Sequence, residues 1–224
     1  MTGRRQFFGL IGAALAALAL AGATPAVAAT AGAPSFFNTT ETKKTELKKF
    51  GKWTSAVKRY FAEKAKNEGP CSATEFNKCH YGEWRNFIAS MRSKPRDYNL
   101  LVEVNKFLNP PTRRYITDPI NWGMKDYWEA PAEFFNKRGD CEDYAITKYM
   151  TLRDLGFPTA QLRVVAVKDL NLKIGHAILV VFLDGRTYLL DNQVKKVVET
   201  KKVRHYKAIY SINEDAWWRH RRKK

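Results

Sequence analysis

Hydrophobic residues recur at helical spacing through the first half of the chain and alternate at strand spacing through the second. Leu47, Phe50, Trp53, Val57, Tyr60 and Phe61 fall three and four apart, with lysines between them, which predicts an amphipathic helix. Trp84, Phe87, Ile88 and Met91 predict a second helix that must end near Pro95, whose ring cannot continue it. Asp97 then offers a cap for a third stripe, Leu100, Leu101, Val104, Phe107 and Leu108, closed by Pro110-Pro111. From Arg113 to Pro131 no period holds, but Trp122, Tyr127 and Trp128 mark an ordered loop, and loops of this length tend to line sites.

The best-defined helix follows. Ala145, Ile146, Tyr149, Met150 and Leu152 form its apolar face, Gly156 and Pro158 end it, and Asp140 fits its N-cap with Asp143 three residues on. Strands are expected at 162–167, 177–183, 186–191 and 205–212. Asp184-Gly185 between two β-rich runs is a strong signal for a two-residue hairpin. The order of elements predicts an α+β fold, with N-terminal helices and this best-defined helix packed on an antiparallel sheet.

The first 28 residues read differently. Arg4 and Arg5 precede an uncharged run from Phe7 to Ala23, and Ala26-Val27-Ala28 is a small-x-small site, so 1–28 is expected to be a cleaved export signal. Arg4-Arg5-Gln6-Phe7-Phe8 also resembles a twin-arginine signal. Residues 29–40 are small and polar and predict a flexible lead-in, 41–218 the folded domain, and 219–224 a basic tail. No other segment is long and apolar enough to span a bilayer.

The chain has 224 residues and a formal net charge of +17. Only two basic residues lie in the leader, so the excess belongs to the mature protein and favours acidic partners. Export argues against nucleic acid. Of three cysteines, Cys71 and Cys79 are spaced to close a small disulfide loop in an oxidising compartment, which leaves Cys141 unpaired. A zinc site from Cys71, Cys79 and His80 lacks a spaced fourth ligand.

Cys141 stands at the first turn of the best-defined helix, where helix N–H groups favour a thiolate. A two-residue turn at 184–185 pairs Val181 with Tyr188 and Ile178 with Asp191. His176 shares the face of Ile178 and becomes a diagonal neighbour of Asp191. A histidine oriented by a carboxylate can take a proton from a thiol, so Cys141, His176 and Asp191 are the candidate catalytic set. Asp140, Glu142 and Asp143 crowd the cysteine. Spacing alone favours helix capping over a cation site, because no Asp-x-Asp-x-Asp-Gly loop is present.

Gly139-Asp140-Cys141-Glu142-Asp143-Tyr144-Ala145, Lys148-Tyr149, Gly175-His176-Ala177, Leu190-Asp191-Asn192 and Tyr210-Ser211-Ile212-Asn213 resemble the bacterial transglutaminase-like cysteine proteinases of the LapG type. The resemblance implies a papain-like/transglutaminase-core fold, the same triad, and a calcium site at Asp140, Glu142 and Asp143. It further implies a periplasmic endopeptidase that releases a large surface adhesin during biofilm dispersal, with an inner-membrane cyclic-di-GMP receptor as its inhibitor. Two other readings use the same residues: transglutaminase or amidase acyl transfer on this triad, and a non-catalytic module binding acidic polymer or a membrane surface through its basic, tryptophan-bearing C-terminus.

Overall fold

The computed structural model describes residues 34–66, 80–109 and 115–223. Cys71, Cys79 and the expected export signal lie outside the described residues.

Six α-helices and seven strands are formed among the described residues. Strand β1 (Thr39–Lys44) is followed by α1 (Gly51–Lys66), α2 (His80–Met91), α3 (Tyr98–Leu108), α4 (Asp118–Trp122), α5 (Pro131–Lys137) and α6 (Cys141–Asp154). Strands β2 (Leu162–Asp169), β3 (Gly175–Leu183), β4 (Arg186–Leu190), β5 (Val198–Glu199), β6 (Tyr206–Ile212) and β7 (Trp217–Arg222) complete the chain. One antiparallel sheet results, in the order β1-β7-β6-β2-β3-β4-β5.

The two faces of the sheet are separate cores, because strand side chains alternate. Val164, Leu179, Val181, Tyr188 and Leu190 meet the helices, while Val165, Ile178, Val180, Phe182 and Leu189 pack with Phe36, Tyr206 and Ala208 on the far side. Helix α6 lies between the sheet and helices α3 and α5. Every residue from Asp143 to Leu152 is therefore buried, including Thr147, Lys148 and Thr151. A one-sided amphipathic helix would not suit that position.

Local chemistry explains the joints. Asp97 Oδ1 accepts from Leu100 N at 3.0 Å and starts α3. Asp184 and Gly185 take φ of 48° and 70°, the positive pair a tight hairpin requires, and the register pairs Val181 with Tyr188 as the turn predicts. Tyr60 occupies the buried position near the end of the α1 stripe, so the adjacent Phe61, expected on the same face, is exposed.

Three expectations change. The segment expected as a flexible lead-in is ordered in its described part: Phe36 is 1% exposed, and Thr39–Lys44 pairs with β7 as an edge strand. The basic tail is likewise strand β7, which buries Trp217, Trp218 and His220 while Arg219, Arg221 and Arg222 face water. The arginines alternate with the buried positions and so fall on the exposed side of the strand, and Lys49 Nζ sits 3.4 Å from the Trp217 ring centroid. The burial of both tryptophans removes the feature on which a tail-mediated binding module rested. Third, the loop expected over 113–131 contains the short helix α4 and leads directly into α5, each begun with proline in its first turn.

Candidate active site

Two structures meet at the start of α6: a histidine–aspartate pair on the β3–β4 hairpin, and a thiol ringed by carboxylates. The hairpin half is direct. His176 Nε2 and Asp191 Oδ1 are 2.9 Å apart, and both side chains are buried. Asp191 Oδ1 also accepts from Gln193 N at 2.9 Å, and Oδ2 from the Tyr206 hydroxyl at 2.7 Å. The Asp191 carbonyl accepts from Nδ2 of Asn109, the C-cap of α3, at 2.5 Å. Burial pushes the Asp191 carboxyl up, but the bond and charge of His176, with the Gln193 and Tyr206 donors, outweigh it and hold the group below the ordinary carboxylate range. Burial and the Asp191 charge raise the Tyr206 phenol, which stays a hydrogen-bond donor.

Cys141 is the first residue of α6. The backbone N–H of Ala177, the residue after His176, lies against its sulfur and favours the ionised form. The thiol donates to Glu142 Oε2 at 3.1 Å. Burial, the Glu142 charge and hydrogen bond, and the Asp140 charge push the thiol well above its usual range. The sequence predicts the opposite, a thiol lowered by the helix start. Burial, which removes the water that would solvate a thiolate, and the Glu142 carboxylate beside the sulfur together overrule the partial charge of a helix terminus.

Asp143 ties the loop to the helix. Its Oδ2 accepts from Asp140 N at 2.9 Å and its Oδ1 from Glu129 N at 2.8 Å, the capping geometry expected from the sequence with an added anchor. Gly139 is required there, since a Cβ at that position would overlap the Asp143 carboxylate. Around this anchor Asp118, Asp140 and Asp143 form one cluster, Asp118, Asp126 and Glu142 a second, and Asp140, Cys141 and Glu142 a third, each with ligand atoms within 4.8 Å of one another.

These carboxylates are short of partners. Asp118 Oδ1, Glu129 Oε2 and Asp140 Oδ1 are buried with no hydrogen-bond partner. Burial and mutual repulsion push Asp140 and Glu129 up to about 8, raise Asp118, and raise Asp143 well above the usual range. An all-oxygen set of this kind fits a hard cation such as calcium. Asp118, Asp126, Glu129 and Tyr206 were not singled out from the sequence. The first three lie in the aromatic loop read as site-lining, where no spacing distinguishes a ligand from a solvated acid. Tyr206 reaches Asp191 from β6, across β2 and β3 from the end of β4.

Residues 67–223, more than half of the chain, match the family model described as bacterial transglutaminase-like cysteine proteinase. The fold is similar to that of calcium-bound LapG of Legionella pneumophila, with 30% identity and a TM-score of 0.58, covering 74% of this chain and 86% of that one. A second LapG structure from that organism shares 31% identity and a TM-score of 0.58 over 73% of this chain and 87% of that chain. An EGTA-treated form gives 31%, 0.58, 73% and 84%. No curated protein matches by sequence. With the cysteine, histidine and aspartate motifs all inside the matched span, the chain belongs to the bacterial transglutaminase-like cysteine proteinases and is a cysteine protease of the LapG type.

Proposed function

We propose that this chain is an exported, calcium-dependent endopeptidase in which Cys141 is the nucleophile, His176 the general base and acid, and Asp191 the residue that orients the imidazole. The buried 2.9 Å contact between His176 Nε2 and Asp191 Oδ1 carries this reading. It fixes the ring and leaves Nδ1 as the nitrogen able to take the Cys141 proton. The thiolate attacks the peptide carbonyl, and N–H groups at the start of α6 offer donors to the oxyanion. His176 returns its proton to the amine as the carbon–nitrogen bond breaks. Water, deprotonated by the same imidazole, then hydrolyses the thioester and restores the thiol.

Asp118, Asp140 and Glu142 would hold calcium, with Asp126, Glu129 and Asp143 around them. Bound there, calcium supplies the positive charge that offsets the carboxylates beside the thiol. The calcium-bound state of the Legionella protein supports the assignment.

The leader read at residues 1–28, the spacing of Cys71 and Cys79 and the family resemblance extend the proposal to a periplasmic enzyme released from that leader, with a Cys71–Cys79 bridge formed in that compartment. Its substrate is a large surface adhesin, and its inhibitor an inner-membrane cyclic-di-GMP receptor. Among the described residues no helix is long and apolar enough to cross a membrane.

Peptide-mapped labelling by iodoacetamide at mildly acidic pH, with calcium present, tests the centre. Rapid labelling at Cys141 that disappears in His176→Ala is expected, since ordinary thiols are protonated there. Equal, slow labelling of both proteins would reduce Cys141 to a buried structural thiol.

A further inference from the structure

Lys148 lies on α6 seven residues after Cys141, and positions 141, 145, 148 and 152 share one stripe of the helix. Its side chain is entirely buried, at 0% exposure, and Nζ has no hydrogen-bond partner. Helical side chains lean toward the N-terminus, so the amine is carried back toward the end of α6 that bears the thiol. One turn nearer that end, Tyr144 presents its ring with the centroid 5.7 Å from Nζ. Among the described residues, the one charge that raises the Lys148 ammonium against its burial is that of Asp191.

The elements packed most extensively on α6, namely α3, α5, β2 and β3, bring no other counter-charge to Lys148. The buried residues of α3 are Leu100, Leu101, Val104, Asn105 and Leu108, none of them ionisable. On α5, Glu133 is bound to Arg59. On β2, Arg163 is paired with Glu41, and Asp169 accepts the N–H groups of Asn171 and Leu172. Strand β3 contributes His176, already joined to Asp191, whose second oxygen is held by Tyr206 of β6. On α6 itself the acids Glu142 and Asp143 sit in the first turn.

A buried amine without a hydrogen bond is a poor way to fill a core, and methionine would fill the same volume at lower cost. Burial pulls Lys148 down to about 7 while Asp191 draws it up. Resting on the triad reading, we propose that Lys148 is a positioning residue of the catalytic centre: from inside the core it balances Asp191 and so sets how firmly the His176–Asp191 pair holds a proton. The reactive ion pair contains thiolate, imidazolium and carboxylate, one cation against two anions. The ammonium makes the buried set neutral. Without it the imidazolium faces uncompensated negative charge, keeps its proton to higher pH, and gives it less readily to the leaving amine.

The test is an NMR titration of the histidine Cε1–H signals in the full mature chain with calcium present. The chain has four histidines, so the signal lost in His176→Ala identifies the residue. In Lys148→Met the His176 midpoint is expected to rise by roughly one pH unit. Lys148→Arg, which keeps the charge, should restore the wild-type midpoint. Thermal unfolding of Lys148→Met should show a midpoint at or above that of the wild type, because an unpaired buried polar group has been removed. An unmoved His176 midpoint in folded Lys148→Met overturns the proposal. Should Lys148→Met fail to fold, the Lys148 Cε resonance in wild type and Asp191→Asn decides. A titration displaced to lower pH in Asp191→Asn supports the coupling, and identical titrations overturn it. Failure here with intact His176-dependent labelling of Cys141 removes only Lys148's part. Loss of that labelling removes the triad itself.

Discussion

The β3–β4 hairpin and the acid-lined start of α6 form opposite kinds of environment around one chemical step. On the hairpin, Asp191 has a donor on each oxygen, and His176 is locked by a buried contact. At the start of α6, three carboxylate oxygens are buried without partners, and four acids are held above their usual range. The first is complete as the chain folds. The second holds unpaired acids, and on the proposed reading added positive charge completes it, because buried anions at this density cannot all ionise beside one another. A base that must be ready can be built from the chain alone, whereas a thiol governed by the surrounding charge can answer to a cation.

The largest effect should come from Cys141→Ala. Loss of turnover on the order of 10⁴-fold or more is expected, with the thermal midpoint retained, since other members of a triad do not replace the nucleophile. Cleavage assays beside thermal unfolding check both halves. Asp191→Ala strikes the satisfied side and should cost about 10²-fold in kcat/KM, the scale of losing an oriented general base. Activity near wild type would mean that backbone packing alone orients His176.

Calcium withdrawal strikes the unsatisfied side. At a hundredfold excess over Kd, calcium should add about 2.7 kcal/mol of stability. That corresponds to a thermal shift of about 2–4 °C per kcal/mol for a chain of this length. The gain should grow with pH. Asp140 and Glu129 are held up to about 8 when folded, so between the ordinary carboxylate range and pH 8 the folded chain keeps protons that the unfolded chain has lost. Stability without calcium therefore falls as pH rises through that window. Scanning calorimetry with calcium or EGTA across it measures the difference, and Asp118→Asn should shrink it. A calcium gain that is flat with pH would place the cation elsewhere.

Tyr206→Phe should give the smallest effect. One donor to a charged oxygen is worth about 1.5 kcal/mol, or roughly tenfold in kcat/KM. Phenylalanine keeps the ring whose centroid lies 5.7 Å from that of His176, so the loss reports the hydroxyl alone, and an unchanged kcat/KM would mean that this bond does not help to orient the pair.

Much of the satisfied half was legible in advance. Asp184-Gly185 pins the hairpin register, and period-two alternation then places His176 and Asp191 on one face, so a local turn decides a long-range contact. Asp140, Cys141 and Asp143 were likewise readable as cap, first residue and capping partner. The other half was obscure because its members come from distant segments. Asp118, Asp126 and Glu129 look like any loop acids until Asp143 anchors Glu129 and the loop folds over the helix start. Strands β1 and β7 were missed because polar, basic sequence at a terminus resembles disorder, and only sheet pairing, of β7 with β6 and of the edge strand β1 with β7, makes each a strand.

By itself the sequence determined the helical stripes, the hairpin, the helix that begins at Cys141 and the candidate cysteine, histidine and aspartate, all features written in spacings of two, three and four residues. Only the tertiary structure decided the sign of the thiol's electrostatics, the pairing of β1 with β7 and the burial of Lys148 inside the core. Those depend on which charges are brought together and how much water is excluded, and neither is encoded in local spacing.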